Sequence, residues 1–129
     1  MNEASCRNEA VRVLAVDDDA KQLSLLARLL TKRGFDVRTV EGPIGVSSVV
    51  RSFDPDVVLV DVFMPALRGD QLLSIIRRNA GSRRARLVLF SSADTDDLRK
   101  LAGEANADGW IQKTFDGDEL ARSIRRLIA

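Results

Sequence analysis

Short apolar runs alternate along this chain with segments whose apolar residues recur every three or four positions. Val11-Arg12-Val13-Leu14-Ala15-Val16, Val57-Val58-Leu59-Val60 and Arg86 to Phe90 read as strands. The Val57 run has three β-branched residues in four, lies between Asp54-Pro55-Asp56 and Pro65, and reads as buried on both faces. Asp36 to Val40 and Gly109 to Gln112 are two further short strands. Ala20 to Arg33 is a predicted helix through Leu23, Leu26, Ala27 and Leu30, closed by Gly34 as a left-handed cap. Pro43 is expected to open a second helix at its first turn, buried through Val46, Val49, Val50 and Phe53. Gly69 to Asn79 buries Leu72, Ile75 and Ile76; Thr95 to Ala105 buries Leu98, Leu101, Ala102 and Ala105. Asp116 to Ile128 closes the series through Leu120, Ile124, Leu127 and Ile128. Five strands alternating with five helices, with no repeat or linker between them, imply an α/β fold. Its sheet is parallel, with helices on both faces, because parallel strands need crossovers and crossovers are right-handed.

A parallel sheet gathers the carboxyl ends of its strands along one edge, where ligands of open α/β sheets bind. The first strand runs into Asp17-Asp18-Asp19, the third into Asp61, the fourth into Ser91-Ser92 and the fifth into Lys113. Clustered carboxylates repel one another unless a cation joins them. An all-oxygen set, in a chain with no histidine, suits a hard divalent ion such as Mg²⁺ or Mn²⁺. Acids before a helix also cap its N-terminus and favour its dipole, and Asp19 is assigned to that role. Asp17 and Asp18, directly off the strand, are the better metal ligands.

Composition removes other classes. The chain has 129 residues, room for one domain with a real core. Lys plus Arg total 20 against 19 Asp plus Glu, so bulk charge points to neither nucleic acid nor an anionic membrane. No apolar run is long enough to span a bilayer. Residues 1–10 are polar, with no signal-peptide pattern, and read as a disordered tail before a folded unit over 11–129. Cys6, the single cysteine, lies in that tail, so no intrachain disulfide forms and a reducing cytoplasm is the expected compartment. The run Arg77, Arg78, Arg83, Arg84 and Arg86 falls at the opposite, amino edge of the sheet. It reads as a solvated loop, with a docking patch for an acidic partner as the alternative.

Taken in order, these pieces resemble the receiver domain of bacterial two-component response regulators, of the single-domain chemotaxis-regulator type. The resemblance covers about Val11 to Ile128. It rests on Val16-Asp17-Asp18, on Asp61-x-x-Met64-Pro65 with Gly69 behind it, on Ser91, and on Lys113 with Phe115. It implies a flavodoxin-like, doubly wound sheet in the order 2-1-3-4-5. It further implies that Asp61 is the phosphoacceptor and that Asp18 binds Mg²⁺ directly. Asp17 would bind mostly through water, and the backbone carbonyl of Phe63 would be another ligand. Ser91 and Lys113 would hold the phosphoryl oxygens, and Ser91 and Trp110 would occupy the switch positions. The donor would be a sensor histidine kinase or a histidine phosphotransfer protein, and the output a downstream protein target, as in a phosphorelay. Any enzymatic activity would be limited to self-catalysed phosphoryl transfer and slow autodephosphorylation. The segment from Ser91 to Lys113 aligns with the family pattern without a gap only if Ser91, rather than Ser92, takes the hydroxyl position.

Three departures stand out. Thr114 replaces the proline that usually follows the lysine across a cis bond; a cis bond to a non-proline residue costs about 3 kcal/mol. Trp110 stands where tyrosine or phenylalanine is usual. Asn106 stands where the family often has glycine, a left-handed position that asparagine tolerates. The departures at Thr114 and Trp110 leave open a degenerate receiver, a protein-binding module that carries no phosphate. A phosphatase using Asp61 as nucleophile is the weaker reading, because no second acid lies two residues after Asp61.

Overall fold

The computed structural model describes residues 10–79 and 84–129. Residues 1–9, with Cys6 and nearly all of the expected tail, lie outside the described residues, as does Arg83. Among the described residues the strands are β1 (Arg12–Asp17), β2 (Asp36–Glu41), β3 (Val57–Val60), β4 (Arg86–Ser91) and β5 (Gly109–Gln112). The helices are α1 (Ala20–Thr31), α2 (Val46–Phe53), α3 (Gly69–Asn79), α4 (Thr95–Ala105) and α5 (Gly117–Ile128). All strand pairs are parallel, in the order β2-β1-β3-β4-β5. This is the doubly wound, flavodoxin-like sheet that the resemblance implied.

The alternation of side chains along each strand divides the core in two. Leu14, Val16, Val58, Val60, Leu87 and Leu89 face α2, α3 and α4, where they meet Val50, Phe53, Leu72, Leu73, Ile76 and Leu98. Val13, Ala15, Val57, Leu59, Val88 and Phe90 face α1 and α5, where they meet Leu26, Leu30, Leu120 and Ile124. All four residues of β3 are buried, as a central strand covered on both faces requires. On α3 the buried positions include Leu73, while Ile75 is only partly covered.

The caps follow local chemistry. Asp19 accepts from the N–H groups of Lys21 and Gln22 at 3.0 and 3.2 Å, and Asp116 does the same for Asp118 and Glu119 at the start of α5. At the far end of α1, Gly34 has φ 90°, and the N–H groups of Gly34 and Phe35 donate back to Thr31 and Leu30. That reciprocal pair is a Schellman closure, which needs the left-handed backbone glycine supplies. Asn106 ends α4 at φ 57°, in the left-handed region.

Pro43 does not open α2. Gly42 and Gly45 both have φ near +85°, and the turn between them holds Pro43 and Ile44 outside the helix, which starts at Val46. Two left-handed glycines around a proline make a turn, and that geometry outweighs the preference of proline for a first helical position. The amino edge is also more structured than a solvated loop. Arg77 donates to Asn106 O at 2.7 Å and pairs with Asp108 at 3.2 Å, while Arg84 pairs with Asp56 at 3.1 Å. Asp108 and Asp56 in turn accept from the backbone of Leu87 and Arg12. These arginines therefore tie the turns at this edge to the sheet.

Candidate functional site

At the opposite edge the ends of β1, β3 and β5 converge on a cleft of about 610 Å³. Its walls carry Asp17, Asp18, Asp19, Gln22, Asp61, Phe63, Ser92 and Lys113. Register places these groups together. Asp61 N–H donates to Val16 O at 3.0 Å, continuing the β1–β3 ladder one residue beyond the last strand pair. Lys113 N–H donates to Ser91 O at 2.8 Å and does the same for β4 and β5.

The loop after Asp61 is held close. Gly69 N–H donates to Val62 O at 3.0 Å, folding the start of α3 back over the loop. A Cβ on Gly69 would collide with the carbonyl oxygen of Asp61 and lie 2.8 Å from its carbonyl carbon. Glycine is needed here for close approach of backbone to backbone. Val62 and Met64 are buried beneath the loop, whereas Phe63 is 55% exposed over the cleft.

The electrostatics are those of a crowded acid site. Asp17, Asp18 and Asp61 each bring a carboxylate oxygen within 4.8 Å of the others. Asp17 and Asp61 are buried, and Asp18 is exposed. Burial pushes the Asp61 carboxyl above its usual range. The Lys113 ammonium pulls it down, Asp17 pushes it up, the Phe63 backbone N–H pulls it down and Asp18 pushes it up. Lys113 reaches Asp17 Oδ2 at 2.8 Å and stands 3.7 Å from Asp61 Oδ1. The carboxylates thus sit around a shared space with one partly compensating ammonium. An oxygen-only donor set with a buried excess of negative charge fits a hard divalent cation.

The other predicted positions fall as follows. Ser91 is fully buried behind the cleft wall, and its Oγ accepts from Ala93 N–H at 3.3 Å, while Ser92 lines the cleft. The Lys113–Thr114 bond is trans, for the described residues contain no cis peptide. Thr114 Oγ1 accepts from Asp116 N–H at 3.1 Å, just ahead of α5. Trp110 does not reach the acid cleft. It packs partly buried against the core on the α4 side and borders a separate cleft with Glu119, Ser123, Arg126 and Leu127. One group escaped sequence reasoning: Gln22, in the first turn of α1, accepts from the Lys113 ammonium at 2.7 Å. No motif marks it, because the contact joins residues 91 positions apart.

The 2-1-3-4-5 sheet thus carries an acid cluster at its carboxyl edge, faced by the lysine that follows β5. The chain belongs to the response regulator receiver domain family, which it matches over residues 13–125. It is 31% identical over 115 residues to the DNA-binding response regulator MtrA of Mycobacterium tuberculosis, covering 88% of this chain and 49% of that protein. It is 34% identical over 121 residues to the transcriptional regulatory protein TcrA of the same organism, covering 94% and 47%. The chain therefore spans about half the length of the curated relatives it matches. Among solved structures it resembles chemotaxis protein CheY4 of Vibrio cholerae, with a TM-score of 0.82, 21% identity, and 92% and 98% of the two chains covered. It also resembles the response regulator TrrA of Thermotoga maritima, solved with Mg²⁺ and beryllofluoride. There the TM-score is 0.76 and the identity 27%, with 91% and 98% covered.

Proposed function

We propose that this receiver domain accepts a phosphoryl group from a partner phosphohistidine onto Asp61 and thereby changes which protein it binds. The observation that carries this reading is the convergence of Asp17, Asp18 and Asp61 with the Lys113 ammonium at one sheet edge. In the transfer, an Asp61 carboxylate oxygen forms the bond to phosphorus as the phosphorus–nitrogen bond of the donor breaks. The imidazole leaves with the electron pair and takes up a proton. Such a transfer asks for alignment and charge neutralisation more than for covalent help.

Asp17, Asp18 and Asp61, with the Phe63 carbonyl, would hold Mg²⁺ or Mn²⁺. When bound, the ion neutralises the acid cluster and draws charge from the phosphoryl oxygens. Lys113 supplies the protein's own positive charge at the site. The hydroxyl comes from the Ser91–Ser92 pair. By alignment with the family pattern Ser91 takes the place, and its hydrogen is not used in the bond it accepts from Ala93. The donor is a sensor histidine kinase or histidine phosphotransfer protein, the setting is the cytoplasm, and no nucleic acid or membrane contact is assigned to these residues. In longer relatives such as MtrA, a DNA-binding regulator by name, the same event would gate output by the remaining half of the protein.

The test is labelling by acetyl phosphate with Mg²⁺, followed by borohydride reduction and peptide mass analysis. The acyl phosphate at Asp61 should be converted to homoserine. An unlabelled protein would instead favour a receiver that works as a binding module without phosphate.

Lifetime gives a further expectation. The side chains two residues past Asp61 and Ser91 are Phe63 and Ala93, and neither offers a hydrogen bond to orient an attacking water. With no histidine in the chain, no imidazole acts as base. Self-dephosphorylation should be slow, and Phe63→Asn or Ala93→Glu should accelerate it. Decay of labelled protein after donor removal, with Mg²⁺ saturating, measures this; no change in either variant would move control to Lys113 and Thr114.

A further inference from the structure

Lys113 ends in an ammonium with three N–H donors. Two are committed: one to Asp17 Oδ2 at 2.8 Å and one to Gln22 Oε1 at 2.7 Å. Asp61 Oδ1 stands at 3.7 Å, beyond a hydrogen bond but in the space left to the third donor. A four-carbon lysine stem has many rotamers, so the direction of that third N–H depends on what holds the other two.

The two acceptors differ in kind. Asp17 is charged and belongs to the carboxylate set proposed to bind a divalent cation, so a cation competes with Lys113 for its oxygens. Gln22 is neutral and outside that set, and an amide oxygen keeps accepting from the ammonium while Asp17 turns to a cation. Gln22 is itself fixed from below. Its backbone N–H donates to the Asp19 carboxylate at 3.2 Å, so the cap of α1 fixes the backbone that carries the side chain.

We propose that Gln22 is a positioning residue for Lys113, a neutral anchor that keeps the ammonium aimed at Asp61 when Asp17 is engaged by a cation. The proposal rests on Asp61 as phosphoacceptor and goes beyond it by assigning the residue that directs its lysine.

Gln22→Met keeps the length and removes the acceptor; Gln22→Glu keeps the acceptor. With acetyl phosphate and Mg²⁺, Gln22→Met should lower the maximal labelling rate constant by about 10- to 100-fold, the scale of a misplaced catalytic group. The half-saturating concentrations of donor and Mg²⁺ should stay at parent values. Gln22→Glu should remain within about threefold of the parent. In a Lys113→Ala background, adding Gln22→Met should cause no further loss, because the glutamine acts through the lysine. A readout free of turnover is the ¹⁵N signal of the Lys113 ammonium in Mg²⁺-saturated protein, where a cation engages Asp17. It should be protected from exchange in the parent and in Gln22→Glu, and lost in Gln22→Met. Parent-like labelling by Gln22→Met, a further loss in the Lys113→Ala background, or a protected ammonium in Gln22→Met would each overturn the proposal. No label on Asp61 in the parent would overturn the phosphoacceptor reading together with this one. Labelling of the parent with an unaffected Gln22→Met would remove the glutamine's role alone.

Discussion

Asp61→Asn should unfold at a higher temperature than the parent in metal-free buffer at neutral pH, by several degrees. Burial, which outweighs the pull of Lys113, raises the Asp61 carboxyl in the folded protein above its value in the unfolded chain. A raised acid stabilises the fold only while it is protonated. Its contribution is full below the unfolded pKa and is lost as pH rises through the folded one. Above the ordinary aspartate range the Asp61 carboxyl therefore costs stability, and Asp17 and Asp18 nearby add to that cost. The amide removes that penalty and keeps the shape. The advantage of the Asn variant should shrink as pH falls toward the ordinary aspartate range. Saturating Mg²⁺ should raise the parent more than the variant. Thermal melts across pH, with and without Mg²⁺, measure this; a difference independent of pH would show that charge at Asp61 is not the cause. The same variant should take no label from acetyl phosphate.

The second large effect separates two adjacent acids. Asp18→Ala should weaken Mg²⁺ binding by more than the roughly 10- to 100-fold that follows loss of an outer-sphere partner. Asp19→Ala should leave the affinity near that of the parent and lower stability by about 1 kcal/mol, the usual cost of a lost helix cap. The structural ground is that Asp18 offers an oxygen to the three-acid cluster, while Asp19 accepts from Lys21 and Gln22. Titration calorimetry with Mg²⁺ reports the first and denaturant unfolding the second. Trp110 fluorescence is a poor reporter, since the indole lies away from the acid cleft. The reverse ranking would exchange the assignments of Asp18 and Asp19.

What the chain reveals without coordinates is whatever short-range chemistry decides. The buried Val57 run and the full extents of α3, α4 and β5 follow from periodicity and flanking residues, and the left-handed Asn106 from the resemblance, which often has glycine there. Convergence of Asp17, Asp18, Asp61 and Lys113 was legible because parallel topology sends every strand end to one edge. Contacts between distant residues were not. Arg77 with Asp108 and Arg84 with Asp56 looked like a basic loop because their acids sit elsewhere in the sequence. Gln22 looked like an ordinary helical residue because its partner, Lys113, follows β5. Pro43 misled because a helix-opening proline and a turn proline look alike until the glycines on both sides take positive φ. Ser91 and Ser92 stand at the last position of β4 and the next, where one step along the chain separates the buried hydroxyl from the one at the cleft.

The order of the sheet has a consequence for how the site opens. Asp61 follows β3, which is hydrogen bonded on both sides and buried at every position, whereas Lys113 follows β5, an edge strand paired only with β4. Local opening begins where backbone bonds meet solvent and packing is thin. In hydrogen exchange, the amides of Leu59 and Val60 should be among the slowest of the chain, and those of β5 should exchange well before them. The lysine can then swing away on a fluctuation of the sheet margin that leaves the acid cluster intact. The two halves of the charge balance are thus mounted on parts of the molecule with different lifetimes.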